Sequence, residues 1–177
     1  VDMEIFMSDD CSNDSTFHIM EEYAKRYPDI IKLVKNEKNL GFSKNMQNCI
    51  SKAQGKYIAF CEGDDYWIDN YKLQKQISFL NQNKNFSICS CQIMMKDENN
   101  NIFMEHKDQL KHIENGNPPL TTKDIILKYY VGNLTSIVIR SDIIKKFPSK
   151  VYNYIVADWF FCILASEKGR IFIMPQK

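Results

Sequence analysis

Three carboxylates fall within four residues at Glu62-Gly63-Asp64-Asp65, directly after the apolar run Tyr57-Ile58-Ala59-Phe60-Cys61. The run is short, aromatic and bounded by Gly55 and Gly63, which predicts a buried strand that ends at the acids. Successive strand side chains point to opposite faces, so bunching three acids needs a tight turn. Gly63 is expected to provide it, because glycine adopts backbone angles closed to other residues. Like charges held this close raise one another's pKa unless a cation neutralises them. Hard oxygen ligands suit magnesium, manganese or calcium, which makes Glu62, Asp64 and Asp65 candidate metal ligands. The plainer reading is a solvated turn whose acids favour the N-terminus of the following helix.

A second acid pair, Asp9-Asp10, follows the strand-like run Glu4 to Met7. A third acid, Asp158, opens the apolar stretch Trp159-Phe160-Phe161, where it is either a helix N-cap or a residue with a chemical task. Asp10, Ser12, Asp14, Thr16, His18 and Glu21 match the ligand spacing of a calcium loop. Ser15 stands where that loop needs glycine, and a strand precedes it where the motif needs a helix, so the match is set aside. Neither glycine-rich phosphate loop, G-x-G-x-x-G or G-x-x-x-x-G-K-S, occurs, so a nucleotide would have to be held through carboxylates and metal.

The elements that must carry these acids alternate. Phe17, Met20, Ala24 and Tyr27 have helical spacing and stop at Pro28; Ile30 to Val34 reads as a strand. Asn36 to Gly41 is polar loop, and Met46, Cys49, Ile50 and Ala53 form one face of a helix ending at Gly55. Leu73, Ile77 and Leu80 mark a helix after the acidic turn. Strand and helix in turn predict an α/β fold, a mostly parallel sheet flanked by helices. Ligands bind such sheets beyond the carboxyl ends of the strands, so both acid pairs open into one crevice if their strands are neighbours. Further on, Phe86 to Met95 is strand-like, Lys96 to Asn101 is a turn, and Ile102 to Met104 returns as a hairpin arm. Asp108 to Pro119 is polar, carries Pro118-Pro119 and is expected to be a mobile loop. Thr121 to Tyr130 is a short helix, with Thr121 and Asp124 spaced as a capping box. Ser136 to Ile139 is a strand, Ser141 to Phe147 a helix, and the helix from Asp158 ends near Gly169 before a last strand at Ile171 to Met174.

With 177 residues and 44% hydrophobic content the chain can bury a core as a single domain, with residues 1–95 as one half and 96–177 as the other. A net charge of +1 argues against a nucleic-acid footprint or a membrane-surface stripe. The six cysteines form no C-x-x-C pair, several lie in apolar runs, and a reducing cytosol suits them. The three histidines, His18, His106 and His112, lack zinc spacing. No stretch approaches the roughly 20 apolar residues of a membrane span, which leaves open a tether outside this segment. The strands at both ends have no neighbouring element, as in a segment cut from a longer chain.

Four stretches then fall into one order. Glu4 to Thr16, E-I-F-M-S-D-D-C-S-N-D-S-T, resembles the strand and D-D-x-S-x-D-x-T segment of family 2 glycosyltransferases of the GT-A fold. From Asn39, N-L-G-F-S-K-N-M-Q-N-C-I resembles the family's N-x-G-x-x-x-A-R-N-x-G; from Gly55, G-K-Y-I-A-F-C-E-G-D-D-Y-W resembles G-x-Y-I-x-x-L-D-x-D-D-x-W with its metal-binding D-x-D. From Ala157, A-D-W-F-F resembles the acid-Asp step that opens a helix. Together they span roughly residues 4–165.

The resemblance implies transfer of a sugar, commonly from a uridine diphosphate donor, to an acceptor hydroxyl, usually with inversion, in bacterial surface polysaccharide or glycolipid synthesis. It implies that Asp10 contacts the donor's base, that Asp64 and Asp65 hold the ribose and the Mg²⁺ or Mn²⁺ on the diphosphate, and that Asp158 is the catalytic base. It splits the chain into a donor-nucleotide half (1–95) and an acceptor half (96–177), the acceptor being a saccharide or lipid-linked saccharide. Lys44 either faces the diphosphate or lies on a solvated helix face. Trp67 and Trp159 pack first, and either could line a sugar site. The chemistry agrees: a departing diphosphate needs positive charge beside it, and an attacking hydroxyl needs a carboxylate to take its proton. The sequence departs from the family in lacking its first strand and C-terminal segment, and in having Glu62 for the first Asp of D-x-D. That motivates an alternative, a non-catalytic nucleotide-sugar-binding or interaction domain of the same fold. A phosphoacceptor receiver domain would need a lone strand-end Asp and a later strand-end Lys, a set not arranged here.

Overall fold

The computed structural model describes residues 2–99, 101–105, 107–128, 131–154 and 157–175. It divides into two compact units, Val1–Lys56 with Pro148–Ala157, and Tyr57–Phe147 with Asp158–Lys177.

The first unit runs β1 (Ile5–Asp9), α1 (Thr16–Arg26), β2 (Ile31–Lys35) and α2 (Phe42–Lys52), and the later segment adds a 3-10 turn at Ser149–Asn153. β1 and β2 pair in parallel from Ile5↔Ile31 to Asp9↔Lys35. α1 packs on both strands, and α2 packs on β1 and on the 3-10 turn. Met46 and Ile50 are buried, as expected for the face of α2; of the face expected for α1 Met20 is buried, while Tyr27 lies beyond the helix end and is exposed; Val34 of β2 is buried too. α2 stops at Lys52 rather than at Gly55, with the N–H groups of Gln54 and Gly55 turned to the Glu4 carboxylate at 2.5 and 3.0 Å. Lys32 joins the same carboxylate at 2.7 Å.

The second unit contains β3 (Tyr57–Ala59), α3 (Lys72–Gln82), β4 (Phe86–Cys91), β5 (Met94–Lys96), β6 (Ile102–Glu105), α4 (Lys107–Glu114), α5 (Thr122–Leu127), a 3-10 turn at Leu134–Ser136, β7 (Val138–Arg140), α6 (Ser141–Ile144), α7 (Ala157–Ser166) and β8 (Arg170–Met174). Its main sheet has the order β3-β7-β4-β8. β4 and β8 are parallel, as expected, but β7 lies antiparallel between β3 and β4. The expected strand at Ser136–Ile139 begins two residues later, because Leu134–Ser136 curls into the 3-10 turn. The run Phe86–Met95 breaks at Gln92-Ile93 into β4, buried throughout, and β5, which forms the expected hairpin with β6.

Leu80 of α3 packs with Phe86, Cys89 and Val138 in a buried core cluster, with Phe79 stacked on Phe172 at 4.4 Å between ring centres. The Gln76 side chain, fully buried, donates to Cys89 O at 2.7 Å and Ser136 O at 2.9 Å. That ties α3 to β4 and to the turn before β7. Arg140 donates to Leu80 O at 2.6 Å, Asn83 O at 3.2 Å and Phe86 O at 2.7 Å, where the C-terminal carbonyls of α3 favour a cation.

The expected mobile loop at Asp108–Pro119 is instead α4 followed by a fastened turn. Its buried face carries Gln109, which donates to Val131 O at 2.9 Å, so a polar residue sits where an apolar one would have shown the period. Asn117 holds the turn by donating to Ile173 O at 2.8 Å. The Thr121–Asp124 capping box forms as expected at the start of α5. Tyr129 and Tyr130 of that expected helix, Asn100 of the turn and His106 lie outside the described residues.

Candidate functional site

β3 ends at Ala59, two residues short of the expected run, so Phe60 and Cys61 already belong to the connection carrying the acids. The acidic turn closes by Asp65 N–H to Glu62 O at 3.1 Å. Gly63 does not use the backbone freedom expected of it. It has no positive φ, and a Cβ added there would meet nothing within 4 Å, so the turn is not built by glycine.

The turn is held from outside. Asn133 Nδ2 donates to Asp65 Oδ2 at 2.8 Å, and Thr135 Oγ1 donates to the same oxygen at 2.5 Å. Thr135 Oγ1 also accepts the Glu62 N–H at 3.2 Å, and Thr135 O accepts the indole N–H of Trp67 at 3.1 Å. Gly132 makes this possible. Its φ is +91°, and a Cβ there would meet Gln109 Nε2 at 3.0 Å and Ser136 Oγ at 3.1 Å.

The acids crowd as expected. Burial, and then the charges of Asp65, Asp64 and Asp158, hold the Glu62 carboxyl above its ordinary range. Asp158, which follows 96 residues later, thus acts on the same cluster. It is the second residue of α7, not the N-cap that its sequence context allowed. A cavity of about 400 Å³ borders the turn, its wall including Asp64, Asp65, Trp67, Lys72, Asn133 and Thr135. Lys72 is 7% exposed; among the described residues its Nζ has no hydrogen-bond acceptor, and it lies 4.6 Å from the centre of the Trp67 ring. Burial pushes its pKa down. Trp159 packs by donating to Ile125 O at 2.9 Å and remains partly exposed.

In the other unit, Asp10 fastens the polar loop. Its carboxylate accepts the N–H of Leu40 at 2.8 Å, the N–H of Gly41 at 2.8 Å and the Asn36 amide at 2.9 Å. Burial raises its pKa, but these donors together outweigh burial and hold it below its ordinary range. Asp9 is buried and accepts the N–H of Ser12. Residues Thr16 to Glu21 lie in α1, which removes the calcium-loop spacing from consideration. Lys44 is exposed on the first turn of α2, beside a hollow that includes Gly41, Phe42 and Tyr154.

Among the described residues, no three His, Cys, Asp or Glu side chains converge as metal ligands. The donor set still fits a small hard cation. Magnesium keeps several waters and needs only one or two protein carboxylates plus substrate phosphates. Asp65 Oδ1 takes no hydrogen bond among the described residues, and the buried Asn133 Oδ1 has no hydrogen-bond donor.

Asn133, Thr135 and Lys72 were not legible as site residues. Asn133 and Thr135 lie about seventy residues from the turn they hold, and Lys72 reads as an ordinary helix-surface lysine.

The family model described as "Glycosyl transferase family 2" matches residues 1–146. A UDP-Glc:α-D-GlcNAc-diphosphoundecaprenol β-1,3-glucosyltransferase of Escherichia coli is 36% identical over 54% of this chain and 36% of its own. The chain spans about half the length of the curated relatives that it matches nearly end to end. Among solved structures, S. aureus TarS in complex with UDP superposes with a TM-score of 0.70 at 21% identity, over 98% of this chain and 49% of that one. A Pyrobaculum calidifontis mannosyltransferase in complex with GDP-Man and Mn²⁺ also gives 0.70, at 15% identity, over 97% and 45%. These neighbours confirm the expected α/β architecture as the GT-A glycosyltransferase fold. No helix among the described residues is long and apolar enough to cross a membrane.

Proposed function

The chain belongs to glycosyl transferase family 2, and on that premise we propose that it transfers a sugar from a UDP-sugar to an acceptor hydroxyl with inversion, assisted by Mg²⁺ or Mn²⁺. The observation that carries this reading is the crowding of Asp65, Asp64 and Asp158 on Glu62, with Asp64 and Asp65 in the wall of the neighbouring cavity. Paired roles suit such a group. Asp158 takes the proton of the attacking hydroxyl. Asp64 and Asp65, with Glu62, hold the ribose and the cation. A bound divalent cation supplies positive charge to the departing diphosphate. Lys44 adds charge toward the diphosphate, and Asp10 shapes the Leu40–Gly41 loop that meets the base. The solved neighbours, one in complex with UDP and one with GDP-Man and Mn²⁺, support a nucleotide donor and a divalent metal. The E. coli relative's name supports a lipid-linked saccharide as acceptor. We place the reaction at the cytoplasmic face of the membrane, in surface polysaccharide or glycolipid synthesis.

The test is turnover of UDP-sugars by the full-length protein with Mn²⁺. Release of UDP by the wild type, and its loss in Asp158→Asn with an unchanged melting temperature, is expected. Retained turnover in Asp158→Asn removes the base assignment. UDP binding without any turnover, on a panel of UDP-sugars and acceptors, supports the non-catalytic reading that Glu62 in the first acid position motivates.

A further inference from the structure

The acidic turn is held by residues that no motif assigns. Asp65 presents two oxygens, and both hydrogen bonds to its side chain, from Asn133 Nδ2 at 2.8 Å and Thr135 Oγ1 at 2.5 Å, fall on Oδ2. Oδ1 receives none among the described residues. Thr135 has one proton to give, and because its oxygen already accepts the Glu62 N–H at 3.2 Å, that proton goes to Asp65. The carboxylate is therefore fixed both in place and in rotation. Asn133 is oriented by the same bond. Its N–H side faces Asp65, which leaves its Oδ1 buried and without a donor among the described residues.

From this geometry we infer that Asn133 and Thr135 are positioning residues of the cation site. They leave Asp65 one oxygen with which to bind a small divalent cation. The consequence is selectivity. Calcium takes six to eight oxygens and readily uses both oxygens of a carboxylate, whereas magnesium and manganese-sized cations keep their waters and accept single-oxygen ligands. A carboxylate locked at one oxygen disfavours calcium. Groups that orient a ligand in this way typically change metal affinity about 10–100-fold when removed.

The inference rests on the metal-dependent reading above, and the experiment separates the two. Mn²⁺ binding to the full-length protein is measured by electron paramagnetic resonance, with and without UDP, and Ca²⁺ is titrated as competitor. Wild type, Asp65→Asn, Thr135→Val, Thr135→Ser and Asn133→Ala are compared, with melting temperatures recorded for each. Expected are loss of Mn²⁺ binding in Asp65→Asn, a fall of about tenfold or more in Thr135→Val and Asn133→Ala, a smaller preference for Mn²⁺ over Ca²⁺ in both, and recovery in Thr135→Ser. Wild-type affinity and preference in folded Thr135→Val and Asn133→Ala, with Asp65→Asn still defective, overturn the positioning role and leave the metal reading standing. No Mn²⁺ binding by the wild type under either condition overturns the metal reading itself. Should Thr135→Val unfold, Thr135→Ser and Asn133→Ala decide the matter by the same preference ratio.

Discussion

Thr135 gives its hydroxyl proton to Asp65 at 2.5 Å while its oxygen receives the backbone N–H of Glu62 at 3.2 Å. One side chain thereby fixes both ends of the acidic turn, from a 3-10 turn about seventy residues away. The acids are crowded because this contact holds them so, and the cost of crowding falls on Glu62.

That cost predicts a pH-dependent stability. The Glu62 carboxyl titrates above its ordinary range in the folded protein, chiefly through burial and then through Asp65, Asp64 and Asp158. A carboxyl raised on folding favours the folded state at pH below its unfolded value, and that advantage is lost as pH rises through its folded value. Glu62→Gln removes the loss. In chelator, its melting temperature is expected to exceed that of wild type at pH 7, with the difference closing toward pH 4. Adding Mn²⁺ should shrink the difference at pH 7 by stabilising the wild type. An equal melting temperature across the range contradicts the crowding.

Gly132 predicts a structural cost that reaches the site. At φ +91°, with Gln109 Nε2 3.0 Å from any added Cβ, Gly132→Ala strains the backbone and pushes on a buried amide. About 1–3 kcal/mol of stability should be lost in urea unfolding. A neutral substitution would mean that the 132–136 turn relaxes freely and does not fix Asp65.

Gln76 offers a test of how the second unit is pinned. Its side chain is fully buried and satisfies Cys89 O and Ser136 O. Gln76→Leu keeps the helix and roughly the volume but strips a donor from two buried carbonyls. A loss of about 2 kcal/mol or more is expected in urea unfolding. A loss below half of that would show that water reaches those carbonyls.

Much of this was legible from local pattern. The apolar faces of α1, α2 and α3 follow the helical period through Met20, Met46, Ile50 and Leu80, and the capping box at Thr121 and Asp124 needs only its own few residues to specify. What was not legible depends on partners distant in sequence. The direction of β7 is set by its neighbours β3 and β4, not by Val138 to Arg140 themselves. α4 was hidden because its buried face carries Gln109, whose burial makes sense only with Val131 O in place to receive it. At the site the acids announced themselves by their density, yet the reason they stay together, Asn133 and Thr135, looked like any polar turn. The backbone freedom expected at Gly63, beside the acids, is used instead at Gly132, whose distance in sequence from the acids hides its part in shaping their turn.

The most direct measurement is the heat of UDP binding to the full-length protein, with Mn²⁺ and with chelator, for wild type and Asp64→Ala. If the acidic turn grips a diphosphate through a divalent cation, wild type binds UDP in Mn²⁺ and loses at least tenfold in affinity in chelator, and Asp64→Ala binds weakly in both. UDP affinity indifferent to Mn²⁺ and to Asp64 would contradict the account.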